Sequence, residues 1–314
     1  MPANVTAHSV TTRPPPFDGY ARSMPYRRVR ALLSGGVVVA VMGLAGCSGH
    51  TGSVTTSAAK ISAEQTSAPA SASAGRVEPT VRPAPDPHTI ATVGALFPAG
   101  VTSAHTCTAA VVTSPAGNVI LTAAHCVSGS GAGLLFVPGY DNGRAPYGSW
   151  TVTRAYSAGG WKSGQNPKLD YAFLVVRPVG TNRTPGSVQS VVGANALAAR
   201  PPAVGAQVTV AGYRFGRDDP PLICNTTVYT TQGYPSFHCP GYVAGTSGAP
   251  WIAGLDASRR AGTIMAVIGG LHQGGCSPDT SYSAPFTSAV SQVLARAVAA
   301  GRGDDFPVPG PDGC

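Results

Sequence analysis

Charge is scarce in this chain of 314 residues, of which charged side chains make up 11% and aromatic side chains 7%. The net charge is +8, and half of it, +4, lies in residues 1–46. No cluster of Lys and Arg interleaved with aromatic residues occurs, so we expect no nucleic-acid partner. No spacing of Cys and His resembles a zinc site, and we expect no metal and no cofactor.

Glycine and proline, by contrast, are abundant, at 40 and 29 residues. Many turns and few solvated helices are expected of such a chain, which favours an all-β fold. From His88 onward, short apolar or alternating runs recur between turn signals, as in barrels and sandwiches. The runs are Ile90–Phe97, Cys107–Thr113, Val119–Thr122, Leu134–Val137, Trp150–Tyr156, Tyr171–Val176, Val208–Tyr213, Thr226–Thr231, Pro250–Ala253, Thr263–Ile268 and Ser281–Ala284.

One run near the C-terminus has a different period. Between Ser288 and Ala300 the large apolar residues fall on one helical face, and Gly301 follows as a C-cap. We therefore predict one C-terminal helix, residues 287–300, packed on a β-body and followed by a tail, residues 302–314.

A short apolar stretch, Ala31 to Ala45, follows a basic flank near the N-terminus. It is too short for a comfortable membrane span and ends in small residues, as a signal peptide does. Its last residues, Leu44-Ala45-Gly46-Cys47, resemble a bacterial lipobox, in which the cysteine is acylated and becomes the mature N-terminus. We therefore predict a signal peptide over residues 1–46 and lipidation at Cys47. An ordinary secretory signal or an uncleaved anchor is the alternative, and Met24 is an alternative start.

Residues 48–87 are mostly Ser, Ala, Thr, Pro and Gly, with few large apolar side chains. Such a segment buries too little surface to offset the entropy lost on ordering it. Residues 47–87 are thus predicted to be a lipidated cysteine followed by a flexible linker, with a short propeptide as the alternative. We expect a monomer at the extracellular face of a bacterial cell membrane, lipid-anchored or released into the medium.

Seven cysteines are an odd number for an exported protein. Setting Cys47 aside leaves six, enough for three disulfides in an oxidising compartment. Two pairs flank predicted hairpins, and the last pair would tie down the C-terminal tail. In chain order these pairs are Cys107–Cys126, Cys224–Cys239 and Cys276–Cys314. Pairing of Cys239 with Cys276 remains open, and it would leave Cys224 for Cys314.

Ser247 lies in the run Gly245-Thr246-Ser247-Gly248-Ala249-Pro250, and His125 lies upstream in Thr122-Ala123-Ala124-His125-Cys126. A serine hydroxyl is a poor nucleophile unless a base takes its proton and a carboxylate orients that base. Asp170 begins an apolar run, where burying it is costly unless it is paired. We therefore predict Ser247 as nucleophile, His125 as base and Asp170 as the orienting carboxylate.

Glycines around Ser247 permit a tight loop that aims backbone N–H groups inward. The N–H groups of Gly245 and Ser247 are the predicted donors to an oxyanion. Other aspartates between His125 and Ser247 lie in loop-like contexts without a following apolar strand, which makes them weaker candidates than Asp170. They are Asp141, Asp218 and Asp219.

The two motifs, with Asp170-Tyr171-Ala172 between them, resemble the catalytic motifs of the chymotrypsin/trypsin-like serine proteases, bacterial secreted type. The order His, Asp, Ser matches, as does the spacing of 45 residues from His125 to Asp170. The resemblance covers about residues 88–301. It implies two antiparallel six-stranded β-barrels, about residues 88–185 and 186–285, with the triad at their interface. It also implies hydrolysis of protein or peptide substrates through an acyl-enzyme, and a Cys107–Cys126 disulfide bracketing the histidine.

Two positions depart from common patterns of that family. Thr246 stands where most animal members carry an Asp that pairs with a new N-terminal ammonium after zymogen cleavage, so we expect a site that forms on folding. The resemblance places Gly241 at the base of the primary pocket, where an Asp selects Arg or Lys in this family. Trypsin-like specificity is therefore not expected.

The resemblance also implies that the pocket wall includes Gly270, His272 and Gly274. In glutamate-specific bacterial members a histidine occupies the place of His272, where an imidazolium could pair a substrate carboxylate. Specificity for Glu and specificity for small or apolar residues both remain open. The alternative functions are a catalytically silent barrel lipoprotein that binds a partner, and an esterase on the same triad.

Overall fold

The computed structural model describes residues 89–98, 100–180 and 186–314. The predicted signal peptide, the alternative start at Met24, Cys47 and the linker through residue 87 lie outside the described residues. Within the described ranges, no helix is both long enough and apolar enough to cross a membrane.

The first half of the described chain is a closed barrel of six antiparallel strands. Its order is β1-β2-β3-β6-β5-β4, with β4 returning to β1, so neither edge is left unpaired. The first of the two predicted barrels is thereby confirmed. In chain order the strands are β1 (Val93–Phe97), β2 (Cys107–Val112), β3 (Val119–Thr122), β4 (Leu135–Pro138), β5 (Trp150–Ser157) and β6 (Ala172–Pro178).

Strand β2 is buried on both faces, which explains why its sequence lacks an alternation of polar and apolar residues. Ala109 and Val111 belong to a core cluster formed largely by the first half. Their neighbours Ala110 and Val112, which point to the opposite face, belong to a cluster shared by both halves. One strand therefore contributes to two cores.

The second half is built from two sheets. Five strands pair in the order β7-β13-β12-β8-β9, and three pair in the order β10-β11-β14. This arrangement differs from the single six-stranded barrel expected over residues 186–285, while the predicted all-β fold class with a C-terminal helix is confirmed. The strands are β7 (Ala196–Leu197), β8 (Gln207–Gly212), β9 (Leu222–Thr227), β10 (Tyr229–Thr231), β11 (Tyr234–His238), β12 (Pro250–Ala253), β13 (Thr263–Val267) and β14 (Thr280–Tyr282).

Val228 marks the point at which the two sheets separate. Its N–H donates to the Ala206 carbonyl at 2.9 Å, and its own carbonyl accepts from the Gly205 N–H at 2.8 Å. The chain then turns to pair β10 with β11, so the run predicted as one strand from Thr226 to Thr231 is two strands. Between β9 and β11 the described chain has a disulfide, Cys224–Cys239, in place of a backbone ladder.

The described residues also form three α-helices: α1 (Gly159–Gly164), α2 (Val188–Val192) and α3 (Ser288–Val298). Helix α3 is the predicted C-terminal helix, and its buried side chains join the core cluster shared by both halves. Its end differs from the prediction, because Ala300, with φ of 50°, takes the left-handed position expected for Gly301. Contacts with β5 stabilise this end: Arg154 donates to the Ala300 carbonyl, and the Tyr156 hydroxyl donates to the Gly301 carbonyl at 2.6 Å.

Three disulfides join Cys107 to Cys126, Cys224 to Cys239 and Cys276 to Cys314. These are the pairs in chain order, and the alternative pairing of Cys239 with Cys276 is not the one formed. The first bond ties the segment that carries His125 to the start of β2. The third ties the C-terminal tail to the end of the second half.

Candidate active site

The predicted base and carboxylate meet at the wall of the first barrel. His125 lies in a short 3-10 turn after β3, and Asp170 lies between another such turn and β6. The His125 ring Nδ1 is 2.7 Å from Asp170 Oδ2, and the His125 backbone N–H donates to Asp170 Oδ1 at 2.9 Å. A third donor, the Gly270 N–H, reaches Oδ2 at 2.8 Å.

These three hydrogen bonds compensate for the complete burial of Asp170, because a carboxylate removed from water needs other donors. A carboxylate only accepts, so the proton between the two side chains belongs to His125 Nδ1. His125 Nε2 is therefore the nitrogen that carries a free lone pair. The His125 side chain is 7% exposed, at the surface of a cleft.

The serine turn, residues 245–248, needs glycine at two places. Gly245 has φ of +94° and Gly248 has φ of +81°, conformations that side chains disfavour. A Cβ on Gly245 would lie 2.0 Å from Phe215 N, and a Cβ on Gly248 would lie 2.2 Å from the Thr108 carbonyl oxygen. The glycines therefore let this turn pack against backbone on two sides.

The two predicted oxyanion donors point away from this packing. The Ala244 carbonyl accepts from Phe215 N–H at 2.7 Å, and the Thr246 carbonyl accepts from Ala249 N–H at 2.9 Å. Because C=O and N–H of a trans peptide point in opposite directions, the N–H groups of Gly245 and Ser247 face the other way. Among the described residues, neither the Gly245 N–H nor the Ser247 N–H has a hydrogen-bond acceptor.

Ser247 and His125 line the same cleft, which has a volume of about 510 Å³. No hydrogen bond joins the Ser247 hydroxyl to the imidazole of His125. The structure thus brings the candidate base and carboxylate into contact. It places the candidate nucleophile in the same cleft as the base, with no hydrogen bond between the two side chains. Such contacts are often long in a free enzyme and tighten when substrate binds.

Thr108, at the start of β2, connects the barrel to the serine turn and was not predicted. Its N–H donates to the Ser247 carbonyl at 2.8 Å, and its hydroxyl donates to the Gly245 carbonyl at 3.2 Å. The same hydroxyl accepts from Tyr213 N–H at 2.9 Å. Thr108 is fully buried. Its position directly after Cys107 is the one signal in the sequence that could have pointed to it.

Thr246, the residue before the candidate nucleophile, is buried. Its hydroxyl donates to the Val243 carbonyl at 2.7 Å, and its backbone N–H reaches the same carbonyl at 3.1 Å. The hydroxyl is therefore satisfied within the turn itself.

The predicted pocket residues divide into two groups. His272 and Gly274 line the cleft, whereas Gly241 and Gly270 do not form part of its wall. Gly270 instead donates its N–H to Asp170, a role that the sequence did not suggest. His272 lies in a 3-10 turn, Leu271–Gly274, which we call the pocket turn. Its ring Nδ1 is 3.2 Å from the Asp312 carbonyl oxygen of the tail.

Apart from the two histidines and Asp312 of the tail, the described residues of the cleft wall are uncharged, and some of them are apolar. Tyr242 and Ile268 contribute to it, and neither was predicted. Burial raises the pKa of the Tyr242 hydroxyl well above its usual range, and that hydroxyl donates to the Val210 carbonyl at 2.8 Å. Tyr242 therefore presents a neutral ring to the cleft.

The other aspartates considered as orienting groups have different partners or positions. Asp141 pairs with Arg144 and accepts from Asn142. Asp219 is 2.8 Å from His105 Nε2, and Asp218 is exposed. Two groups of Cys and His lie within metal-binding distance, around His125 and around His272. Both contain a disulfide, so their sulfurs are not thiolate ligands.

Comparisons with known proteins concern the fold that carries this site. Residues 107–257, which include His125, Asp170 and Ser247, match a family model described as a trypsin-like peptidase domain. The protease Anisep from Arthrobacter nicotinovorans has a similar structure, with a TM-score of 0.56 at 26% identity, over 68% of this chain and 97% of that one. A thermostable serine protease, AL20, from an extremophilic microorganism gives a TM-score of 0.56 at 22% identity, over 68% and 100%. The second likeness shows the fold alone, and no curated protein matches the chain. Together they support a peptidase with a chymotrypsin-like fold.

Proposed function

We propose that this trypsin-like domain is a serine endopeptidase that cleaves protein or peptide substrates through Ser247, His125 and Asp170. One observation carries the proposal: a fully buried Asp170 binds both Nδ1 and the backbone N–H of His125, at the wall of the cleft that contains Ser247. The unused N–H groups of Gly245 and Ser247 support it further.

The chemistry follows from these roles. His125 Nε2 removes the proton of the Ser247 hydroxyl as its oxygen attacks the carbonyl carbon of the substrate. The N–H groups of Gly245 and Ser247 donate to the resulting oxyanion. The protonated imidazole then gives its proton to the leaving amine, which leaves an acyl-serine. A water molecule, activated by the same nitrogen, releases the acid product and restores Ser247.

Activation is proposed to need no freed N-terminal ammonium. Thr246 has no charge to pair, and its hydroxyl is already bonded to the Val243 carbonyl. We expect purified chains that begin before and after His88 to have the same activity on one peptide substrate. Activity that requires cleavage near His88, with the new N-terminus inserted beside Thr246, would contradict this proposal.

Membrane tethering is a proposal from the sequence, supported by three disulfides that fit an oxidising compartment. Acylation of Cys47 would hold the domain at the extracellular face of a bacterial membrane, with residues 48–87 as the linker. In a bacterial host, Cys47→Ala is expected to move the protein from the membrane fraction to the medium. Unchanged membrane association of that variant would contradict the proposal.

A fluorophosphonate probe tests the enzyme proposal, because it reacts with an activated serine. The wild-type protein should be labelled and should cleave a protein such as casein, and Ser247→Ala should do neither. Ser258→Ala, which changes an exposed serine, is the matched control and should behave as wild type. Labelling with ester turnover but no protein cleavage would favour an esterase. No labelling of the wild type would favour a binding module.

A further inference from the structure

The C-terminal tail, residues 302–314, is held against the body at separate points and reaches the cleft. Phe306 is buried and exchanges backbone hydrogen bonds with Gly129 at 2.7 and 3.0 Å. Gln165 donates to the Val308 carbonyl at 3.1 Å and accepts from the Gly310 N–H at 2.8 Å. The Cys276–Cys314 disulfide fixes the end that lies beside the pocket turn. The tail is therefore held to the body at several points, and its residue Asp312 forms part of the cleft wall.

The pocket turn depends on the tail for its shape. His272 and Gln273 both have left-handed backbones, with φ of 51° and 49°. This conformation costs free energy for residues with such side chains, so other contacts must stabilise it. Both side chains bond to the tail: His272 Nδ1 is 3.2 Å from the Asp312 carbonyl oxygen, and Gln273 Nε2 donates to the Gly310 carbonyl at 2.7 Å.

The tail also brings charge to the cleft. Of the described residues that line it, Asp312 is the only one with a carboxylate, and none is Lys or Arg. Asp312 Oδ1 accepts the Cys314 N–H at 2.9 Å. Since the side chain is exposed, Oδ2 is left for a ligand. The cleft wall also contains the imidazole side chains of His125 and His272.

We propose that the tail determines the specificity of the cleft, and that Asp312 makes it favour a substrate with a basic side chain next to the scissile bond. This inference rests on the proposed serine-protease function. Gly241 has no carboxylate, and for that reason the sequence alone did not lead us to expect specificity for Arg or Lys. Among the described residues that line the cleft, the carboxylate comes instead from Asp312 of the tail. The tail thereby supplies both the shape of the pocket turn and the charge of the cleft.

The proposed role of the Asp312 charge can be tested with three peptidyl phosphonates. They differ only in the side chain next to the reactive group, which is Arg, Gln or Glu. Their rates of covalent labelling at Ser247, measured at pH 8, should fall in the order Arg, Gln, Glu. Asp312→Asn should lower the Arg-to-Gln ratio about five-fold, as expected for loss of an exposed ion pair. Asp305→Asn removes the same charge from a tail position outside the cleft, and should leave the ratio unchanged. A faster reaction with Glu, or an unchanged ratio in Asp312→Asn, would overturn the proposal.

A second variant tests whether the tail maintains the shape of the pocket turn. Cys276→Ser combined with Cys314→Ser releases the end of the tail, and should bring the Arg-to-Gln ratio close to one. An uncharged fluorophosphonate separates this effect from misfolding, because it should label the double variant at close to the wild-type rate. A wild-type ratio in a double variant that labels normally would overturn the role of the tether. If the uncharged probe fails on the wild type, the proposed protease function fails, and this inference fails with it.

Discussion

The two halves of the molecule hold the candidate triad by different means. In the first half, His125 and Asp170 each lie next to a strand of one closed barrel, β3 and β6, which pair directly with each other. In the second half, Ser247 and the pocket turn lie on turns that connect two separate sheets. Those turns depend on left-handed residues, disulfides and contacts with the first half. The base is thus positioned by a continuous ladder, and the nucleophile by contacts that single substitutions can remove.

Asp170→Asn removes the carboxylate that orients His125 in the first half, and we expect it to have the largest effect. The amide NH₂ of Asn would donate where the carboxylate accepts, so His125 would hold its proton on Nε2 rather than Nδ1. We expect kcat to fall about 10⁴-fold, as is typical when the orienting carboxylate is lost. Asp218→Asn changes an exposed aspartate that also lies between His125 and Ser247 in the sequence, and this variant should keep full activity. Steady-state kinetics on one peptide substrate gives the result, and a loss below ten-fold would argue against Asp170.

Gly245→Ala tests the turn that carries the nucleophile. The new Cβ would lie 2.0 Å from Phe215 N, so the turn must move and carry an oxyanion donor with it. We expect kcat to fall by about 10²- to 10³-fold, the usual effect of losing one such donor. Gly254→Ala is the control, since Gly254 also has positive φ but its Cβ would meet nothing within 4 Å. Equal losses of kcat in the two variants would show that backbone strain alone is responsible.

Thr108→Val tests the contact between the halves. It keeps the shape of the side chain but removes the hydroxyl that bonds Gly245 and Tyr213. Leaving buried groups unpaired should lower the free energy of unfolding by about 1–3 kcal/mol. We also expect kcat to fall about ten-fold with little change in KM, as for loss of a contact that matters in the transition state. Thr108→Ser should restore both values, and a loss of stability without loss of kcat would limit Thr108 to a structural role.

Asp304→Asn tests the anchoring of the tail to the first half and should have the smallest effect. Burial acts to raise the pKa of Asp304, but hydrogen bonds from Arg296, Lys162 and the Ser157 N–H outweigh it and leave the pKa below its usual value. Its stabilisation is therefore present above the unfolded-state pKa, about 3.9, and is lost as pH falls through the lower folded-state value. We expect a loss of about 1 kcal/mol at pH 7 in urea unfolding, which disappears once the pH is below the folded-state pKa of Asp304. A difference between wild type and variant that persists at low pH would contradict this assignment.

The sequence predicted the first half better than the second for a physical reason. Short apolar runs between turns identify strands such as β2 and β3 wherever burial is extensive. Strand β11 was missed because Pro235 weakens the strand pattern, and α1 was missed because three of its six residues are glycine. The division at Val228 depends on which neighbour it pairs with, which no local pattern encodes.

The residues of the candidate site also fall into two groups, those that were proposed from the sequence and those that were not. His125, Asp170 and Ser247 were predictable because their chemistry requires those residue types in recognisable motifs. Thr108 and Gly270 act through hydrogen bonds to residues far away in the chain, and their residue types carry no comparable signal. The roles of Gly241 and Gly270 in the pocket were inferred from position in a motif, whereas the cleft wall depends on how the turns fold.

The contacts of Thr108 and Gly270 have a consequence for biogenesis. Gly270, from the second half, completes the shell of Asp170 in the first, and Thr108, from the first half, bonds the serine turn of the second. Neither half alone therefore contains the complete candidate site. Under the proposed function, a chain that folds one half at a time would be inactive until the two halves dock. Activity should accordingly appear during refolding only when docking is complete.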